Sequence, residues 1–385
     1  MLWTSETPLH VCSIEALPGS QFIAGAYQLE EGGDTPSRVG SLTLFDAGAT
    51  VERGSGQIVE IGSLATDGGV LDCKVAKADS KDRYHVVAAL STGTLQYLLY
   101  DKENHEASAA FLRESGKAVL AEEGLFLSVD WDTFPLAIDG NSFVPSKVAV
   151  STQQSSLLVY DVTVPESPLV HIRNAHVLMG DNVPAWITTF DHFHTHVMAS
   201  GGDDCCLRLW DIRMPLTGGS ASDSTFSCGE GGRGGECTAK NSKTHSSGVT
   251  SLQYHPSKEH VLASGSYDGS VRVWDCRNLK RPTGSLDTGG GVWRTKWHIE
   301  GDSRREEKED YLVLACMHAG SHIISVKNGG GDLDSVWQFP KAEDLREQHL
   351  AYGIAMLDHE GSDKKRMLAS CSFYENSVDL WEASL

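Results

Sequence analysis

The chain has no CxxC pair among its nine cysteines, no apolar run of membrane-spanning length and no surplus of positive charge. Each absence removes a class of function. Only Cys205 and Cys206 are adjacent, so neither zinc-ligand spacing nor an even disulfide framework is present, and reduced, mostly buried thiols are expected. The opening MLWTSETPLH has no basic stretch ahead of an apolar core, and no span of about 20 apolar residues follows it. A cytoplasmic location without membrane contact is therefore expected. With 32 Lys+Arg against 52 Asp+Glu the formal charge is −20, which argues against nucleic-acid binding through a basic surface. There is no P-loop, GxSxG elbow or HExxH pair, so no cofactor or resident metal is expected.

What the chain does have is 39 glycines and nine tryptophans in 385 residues. That mixture suits many tight turns between strands with large packing side chains. The stretch VLASGSYDGSVRVWD (residues 261–275) shows the unit: two short apolar strands around a Tyr-Asp-Gly turn, where Asp bonds the local backbone and Gly tolerates positive φ. A lone hairpin is not stable. It is repeated, however. VMASGGDDCCLRLWD (197–211) and KVAVSTQQSSLLVYD (147–161) match it without a gap, and VAALSTGTLQYLLYD, VLACMHAGSHIISVK and MLASCSFYENSVDLWE follow the same plan. A degenerate first copy runs from FIAGAYQL to GSLTLFD.

The seven copies end at Asp46, Asp101, Asp161, Asp211, Asp275, Lys327 and Glu382, spaced 50 to 64 residues apart. That period predicts an all-β, seven-bladed propeller over residues 1–385, with one four-stranded blade per copy. The longest interval holds a Gly/Ser-rich surface insertion at 214–244. FLSVDW, VTSLQYHP, GVWRTKW and YGIAML are read as innermost strands. MLWTSET is expected to supply the fourth strand of the last blade, removing two exposed edges at once. THSSGV ahead of the fifth copy, with Ser264 or Ser266, Asp268 and Trp274, resembles the His–Ser–Asp–Trp bonding tetrad of WD repeats.

Function on such a fold lies in the loops of the channel face: the turn inside each hairpin and the connection entering each inner strand. In GGGVWRTKWH (289–298), Gly290 and Gly291 expose backbone N–H groups, with Trp293 and Arg294 at the channel mouth. In ACMHAGSH, His318 takes the place of Ser266 and Gly320 that of Asp268. Cys316 lies two residues before His318, hence on the same strand face. This offers either a Cys–His pair for nucleophilic chemistry or a lone His base. Tyr374 occupies the turn of CSFYENS, after Phe373. Asp204 aligns with Asp268 and is read as structural, leaving Asp203 as the freer acid. His192, His194 and His196 fall on one side of a strand by alternation, but no Cys or acidic partner follows at ligand spacing, so no metal is assigned to them.

ASGGDD, GGGVWRTKWH, ACMHAG, ASCSFYENSVDLWE and GAYQLEE together resemble the diphthine methyl ester hydrolases, WD-repeat proteins of the eukaryotic diphthamide pathway. The resemblance implies a carboxylic ester hydrolase whose protein substrate is translation elongation factor 2. It implies removal of a methyl ester from a modified histidine before the final amidation. The substrate side chain also carries a trimethylammonium group, which has no hydrogen-bond donors and is held by aromatic faces and diffuse negative charge. Trp293, Tyr374 and Phe373 would supply those faces, with Asp203 as a further substrate-binding residue. His318 would serve as base, with Arg294 or the amides of Gly290 and Gly291 as oxyanion donors. From another class, WDIR (210–213) and WDCR (274–277) resemble the Trp-Asp-x-Arg motif of receptors for cullin–RING ubiquitin ligases. On that reading Arg213 and Arg277 would dock a ligase adaptor.

Overall fold

Short runs of β-branched and apolar residues, each closed by Gly, Asp, Asn or Ser, form antiparallel hairpins throughout. A computed structural model describes residues 3–30, 37–53, 57–78, 82–102, 112–133, 144–213, 234–300, 309–340, 348–357 and 365–384. Among these residues the strands form seven four-stranded antiparallel sheets, the blades of a β-propeller, and one two-stranded hairpin. Six of these blades run in chain order from inner to outer strand. Blade four, for example, is Ala185–Phe190, Val197–Gly202, Leu207–Asp211 and Glu236–Asn241. Its outer strand thus lies within the segment read as an insertion at 214–244, of which residues 214–233 lie outside the described residues.

Blade seven departs from chain order as the sequence predicts. Its inner strands are Ala351–Leu357, Lys365–Ser372 and Ser377–Ser384, and the N-terminal Trp3–Glu6 pairs antiparallel with the last of these. Thr4 lies opposite Asp379 and Trp3 opposite Leu380. The edge that would template aggregation is thereby paired.

The chain divides into two compact units, Met1–Val70 with Ser257–Leu385, and Leu71–Pro256. In the first, Ile14, Phe22, Phe45, Leu357 and Leu380 form one buried cluster, and Leu312, Leu314, Cys316 and Ile324 pack on Ala263 and Val273 in another. In the second, Trp131 packs among Tyr97, Phe126 and Tyr160, and Trp210 among Ala149, Phe190 and Met198. No helix among the described residues is long and apolar enough to cross a membrane.

A bonding tetrad of the kind expected in blade five is complete in blade four. His176 bonds Asp204 through Nδ1 at 2.7 Å and Ser200 Oγ through Nε2 at 2.8 Å, and Trp210 Nε1 donates to the same hydroxyl at 2.8 Å. In blade five Trp274 Nε1 donates to Ser264, while Ser266 instead accepts the Asp268 amide.

Blade six corrects the gapless alignment. Leu314 pairs with His322, occupying the place of Ser264 paired with Arg272 in blade five, so both partners lie 50 residues further on rather than 52. Cys316 therefore stands where Ser266 stands, and His318 takes the turn position of Asp268. The tetrad Ser and Trp are replaced by the apolar Leu314 and Ile324.

Candidate functional site

The first compact unit gathers most of the sequence-predicted residues around one aromatic cluster. Trp293 ends the Gly-rich connection into blade six and stacks on Tyr352 of the blade-seven inner strand, with ring centroids 4.9 Å apart. Tyr352 meets Phe373 at 4.9 Å, and Tyr374 stands edge-on to Phe373 at 5.3 Å. His10 stacks on the other side of Phe373 at 4.6 Å, Tyr27 approaches it at 5.3 Å, and Tyr267 borders Trp293 at 5.8 Å. Phe373 is buried and forms the floor of the cluster, whereas Tyr374 is 58% exposed. Burial raises the phenol of Tyr352 to about 12, with a further push from Tyr374, so it remains a neutral donor.

Close backbone approach requires glycine at Gly290, whereas at Gly291 the near neighbour is a side chain that can yield. A Cβ on Gly290 would lie 2.5 Å from the carbonyl oxygen of Cys316, and one on Gly291 would lie 2.8 Å from Met317 Sδ. The turn they press against is itself strained, because Met317 adopts φ +47°, and such conformations collect at working sites. Met317 packs on the cluster of Cys12, Leu350 and Phe373, which sets His318 beside it. The amides of Gly290 and Gly291 make no hydrogen bond among the described residues.

The strained turn also separates the two residues predicted to share a face. His318 is exposed at the turn, and its Nδ1 lies 3.1 Å from the carbonyl oxygen of His349. A carbonyl only accepts, so Nδ1 carries the proton and Nε2 of the neutral ring presents a lone pair. Cys316 is fully buried among Leu312, Leu314 and Val292. Burial drives its thiol up to about 12, despite a hydrogen bond with Thr288. A Cys316–His318 nucleophilic pair is thus not formed. Arg294 is also buried; its guanidinium lies 5.3 Å over the Trp293 ring and donates to the Trp293 carbonyl at 3.2 Å.

Sequence reasoning missed the partner of His318. His349, 6% exposed, bonds Glu375 Oε2 through Nδ1 at 2.9 Å, while its Nε2 is buried with no hydrogen-bond partner among the described residues. Glu375 follows Tyr374 in the blade-seven turn, so one hairpin supplies both an exposed ring and the carboxylate that fixes His349. Glu375 aligns from the Trp381 end with the tetrad Asp204, a signal that the extra residue in that turn obscures.

Asp203, within the second compact unit, accepts a 2.6 Å hydrogen bond from Trp186 Nε1, fewer partners than Asp204 holds with His176 and Arg208. His192, His194 and His196 sit in a turn ahead of Val197–Gly202 rather than on a strand, and Asp191 bonds both the ring and the backbone of His194. Arg213 and Arg277 are each closed onto the Asp of their own motif, Asp211 and Asp275, by paired bonds from Nε and Nη2.

Comparison with known proteins agrees with this architecture. Residues 174–211 and 235–275 match the WD domain, G-beta repeat family. A Dictyostelium discoideum protein named diphthine methyltransferase homolog is 29% identical over 388 residues, covering 96% of this chain and 95% of its own length. The Homo sapiens diphthine methyltransferase is 30% identical over 344 residues, covering 84% of this chain and 68% of its own length. A chain of the solved mitotic checkpoint complex matches with a TM-score of 0.60 at 14% identity, over 99% of this chain and 91% of that one. That likeness concerns the fold alone.

Proposed function

Because the chain belongs to the diphthine methyltransferase family, we propose that it acts in diphthamide synthesis as a hydrolase of the methyl ester on methylated diphthine. The substrate is translation elongation factor 2, which places the reaction in the cytoplasm. The observation that carries this reading is an exposed histidine of fixed tautomer beside an aromatic cluster whose Tyr374 is open to solvent. The trimethylammonium group lies against Tyr374 and the Trp293–Tyr352 pair, where ring faces attract a cation that cannot hydrogen-bond.

His318 Nε2 takes a proton from water as the water oxygen adds to the ester carbonyl. The amides of Gly290 and Gly291, with the Arg294 guanidinium, face the developing oxyanion, and each donor is worth about 3 kcal/mol. When the intermediate collapses, the bond to the methoxy oxygen breaks and His318 returns the proton to it. The products are methanol and the carboxylic acid form of diphthine. Glu375 holds the His349 ring, and the His349 carbonyl holds His318, so both are positioning residues.

The test is methanol release from methyl-esterified elongation factor 2 with no methyl donor added, which separates hydrolysis from the methyl transfer in the relatives' name. His318→Ala should lower turnover by about 10² or more, and Trp293→Ala should chiefly raise KM. Full turnover by His318→Ala would move the active site away from this turn.

A further inference from the structure

The connection entering blade four carries the two-stranded hairpin, Val177–Leu178 paired with Asp181–Asn182. Two residues, Met179 and Gly180, close it with φ +54° and +97°. Positive φ at both positions defines a type I′ turn, for which Asn-Gly is the favoured pair. Met at the first position is the wrong residue for folding on two counts. Its backbone lies in the left-handed region that L side chains avoid, and its side chain is 98% exposed. Leu178 beside it is 45% exposed.

The hairpin is not a loose end. The Val183 amide donates to the His176 carbonyl, the His176 amide donates to Ser155 Oγ, and Asn182 Nδ2 donates to Asn174 Oδ1. Its base is thus tied to the tetrad histidine, the most fully bonded imidazole of blade four. A Cβ placed on Gly180 would meet nothing within 4 Å, so the tip projects clear of its surroundings. The result is a rigid knob presenting Leu178 and Met179, with Asp181 exposed at its side and no cation within the hairpin.

We infer that this knob is a docking element that seats in an apolar pocket with a cationic rim on the folded protein substrate. The inference rests on the reading that the substrate is a side chain of elongation factor 2. A pocket for one modified side chain buries too little to select a large protein, so contact outside it is required. Met suits the task, because its flexible, polarisable side chain adapts to the pocket it enters. The acidic flank complements a basic rim and speeds encounter. An exposed, strained apolar residue on a rigid base opposes folding but favours binding.

The two effects come apart in one variant. Met179→Asn supplies the residue the turn prefers, and the melting temperature of the full chain should rise by about 2 °C. Its Kd for purified, methyl-esterified elongation factor 2 should weaken about tenfold, and Leu178→Thr should weaken it similarly. Hydrolysis of betaine methyl ester, a small trimethylammonium methyl ester with no protein surface for the knob to dock on, should be unchanged in both variants. Unaltered binding of the factor by both variants would overturn the docking role and leave the hydrolase reading standing. Absence of binding by the unaltered chain would also overturn it, while turnover of the small ester reports separately on the pocket. A dimer of the unaltered chain that Met179→Asn dissolves would assign the knob to self-association instead.

Discussion

Blades four and seven place the same chemistry at the same positions and use it differently. In blade four both nitrogens of His176 are spent, on Asp204 and on Ser200, and Ser200 also receives Trp210. In blade seven Trp381 still donates to Ser370 at 2.8 Å, but the His349 ring bonds Glu375 through Nδ1 and leaves Nε2 unpaired among the described residues. The acid is one carbon longer and the turn one residue longer, which together lift the imidazole off the serine. Strand register extends the contrast. Arg208 lies opposite Ser200 and pairs with Asp204 at 2.6 Å, whereas the equivalent residue opposite Ser370 is Asp379, a second acid near Glu375. Burial alone would raise the Asp204 carboxyl, but His176 and Arg208 outweigh it and hold the group well below the usual range. One blade is closed for stability; the other has its polar groups opened toward a surface that can work.

The sharpest way to break this contrast is to delete each histidine. His176→Ala strips a buried carboxylate of one partner and should destabilise the protein by about 3 kcal/mol, towards the low end for breaking a buried pair because Arg208 remains. His349→Ala leaves Glu375 half-buried and within reach of water, so its cost should be about 1 kcal/mol. Its turnover should nonetheless fall at little-changed KM, because the ring's bond to Glu375 anchors the backbone whose carbonyl orients His318. Denaturant unfolding of both variants, with kinetics of the second, checks this. Equal stability losses would erase the distinction between the blades.

The propeller was legible because each hairpin repeats the alternation of apolar residues around a turn, and seven copies leave little else to build. The closing strand followed from the same logic, since a three-stranded last blade exposes an edge. The working site was only partly legible. Trp293, Phe373, Tyr374 and His318 were found as unusual residues in turns, but Tyr352 and His10 read as ordinary strand residues and meet Phe373 only in three dimensions. The blade-six register failed for a definite reason. A slip of two residues keeps every side chain on its proper face, so alternation cannot detect it, and only the pairing of Leu314 with His322 shows where the turn falls. The left-handed Met317 then turns Cys316 inward and His318 outward, which strand periodicity cannot foresee.

A smaller effect should follow from the second acid of blade seven. Burial raises the Asp379 carboxyl to about 6, opposed by bonds from Thr4 and Ser377 and aided by the charge of Glu375. A folded-state value above the unfolded one contributes stability that is fully present below about pH 4 and lost as pH rises through about 6. The full difference corresponds to about 3 kcal/mol, and loss of charge-assisted bonds to Thr4 and Ser377 reduces the gain from neutralising it. Asp379→Asn should therefore stabilise the protein by about 2 kcal/mol at pH 7.5 and by almost nothing at pH 3.5. Asp379 lies opposite Thr4, so the change is made within the pairing that closes the blade. Melting temperatures across that range check the sign. A variant less stable than the parent at pH 7.5 would show that the buried acid is compensated as fully as its blade-four counterpart.

The smallest effect tests whether the polar opening of blade seven extends to the thiol of blade six. Cys316 occupies the second-strand end held by Ser266 in blade five and Ser372 in blade seven, both fully buried. Ser266 caps its own turn by accepting the Asp268 amide, and Ser372 accepts the Leu350 amide. A serine is thus the residue two sister blades already use at this place. Cys316→Ser should find Thr288 as a ready partner, since the thiol already bonds it. The cost should stay within about 1 kcal/mol, the order of one hydrogen bond exchanged for another in a buried site. Turnover should match the parent, because a thiol raised to about 12 by burial contributes almost no thiolate at neutral pH. A thiol reagent should likewise leave Cys316 unmodified in the folded chain, which peptide mapping after brief labelling would show. Loss of turnover in Cys316→Ser with an unchanged melting temperature would instead make the thiol a participant, and the water mechanism through His318 would have to be abandoned.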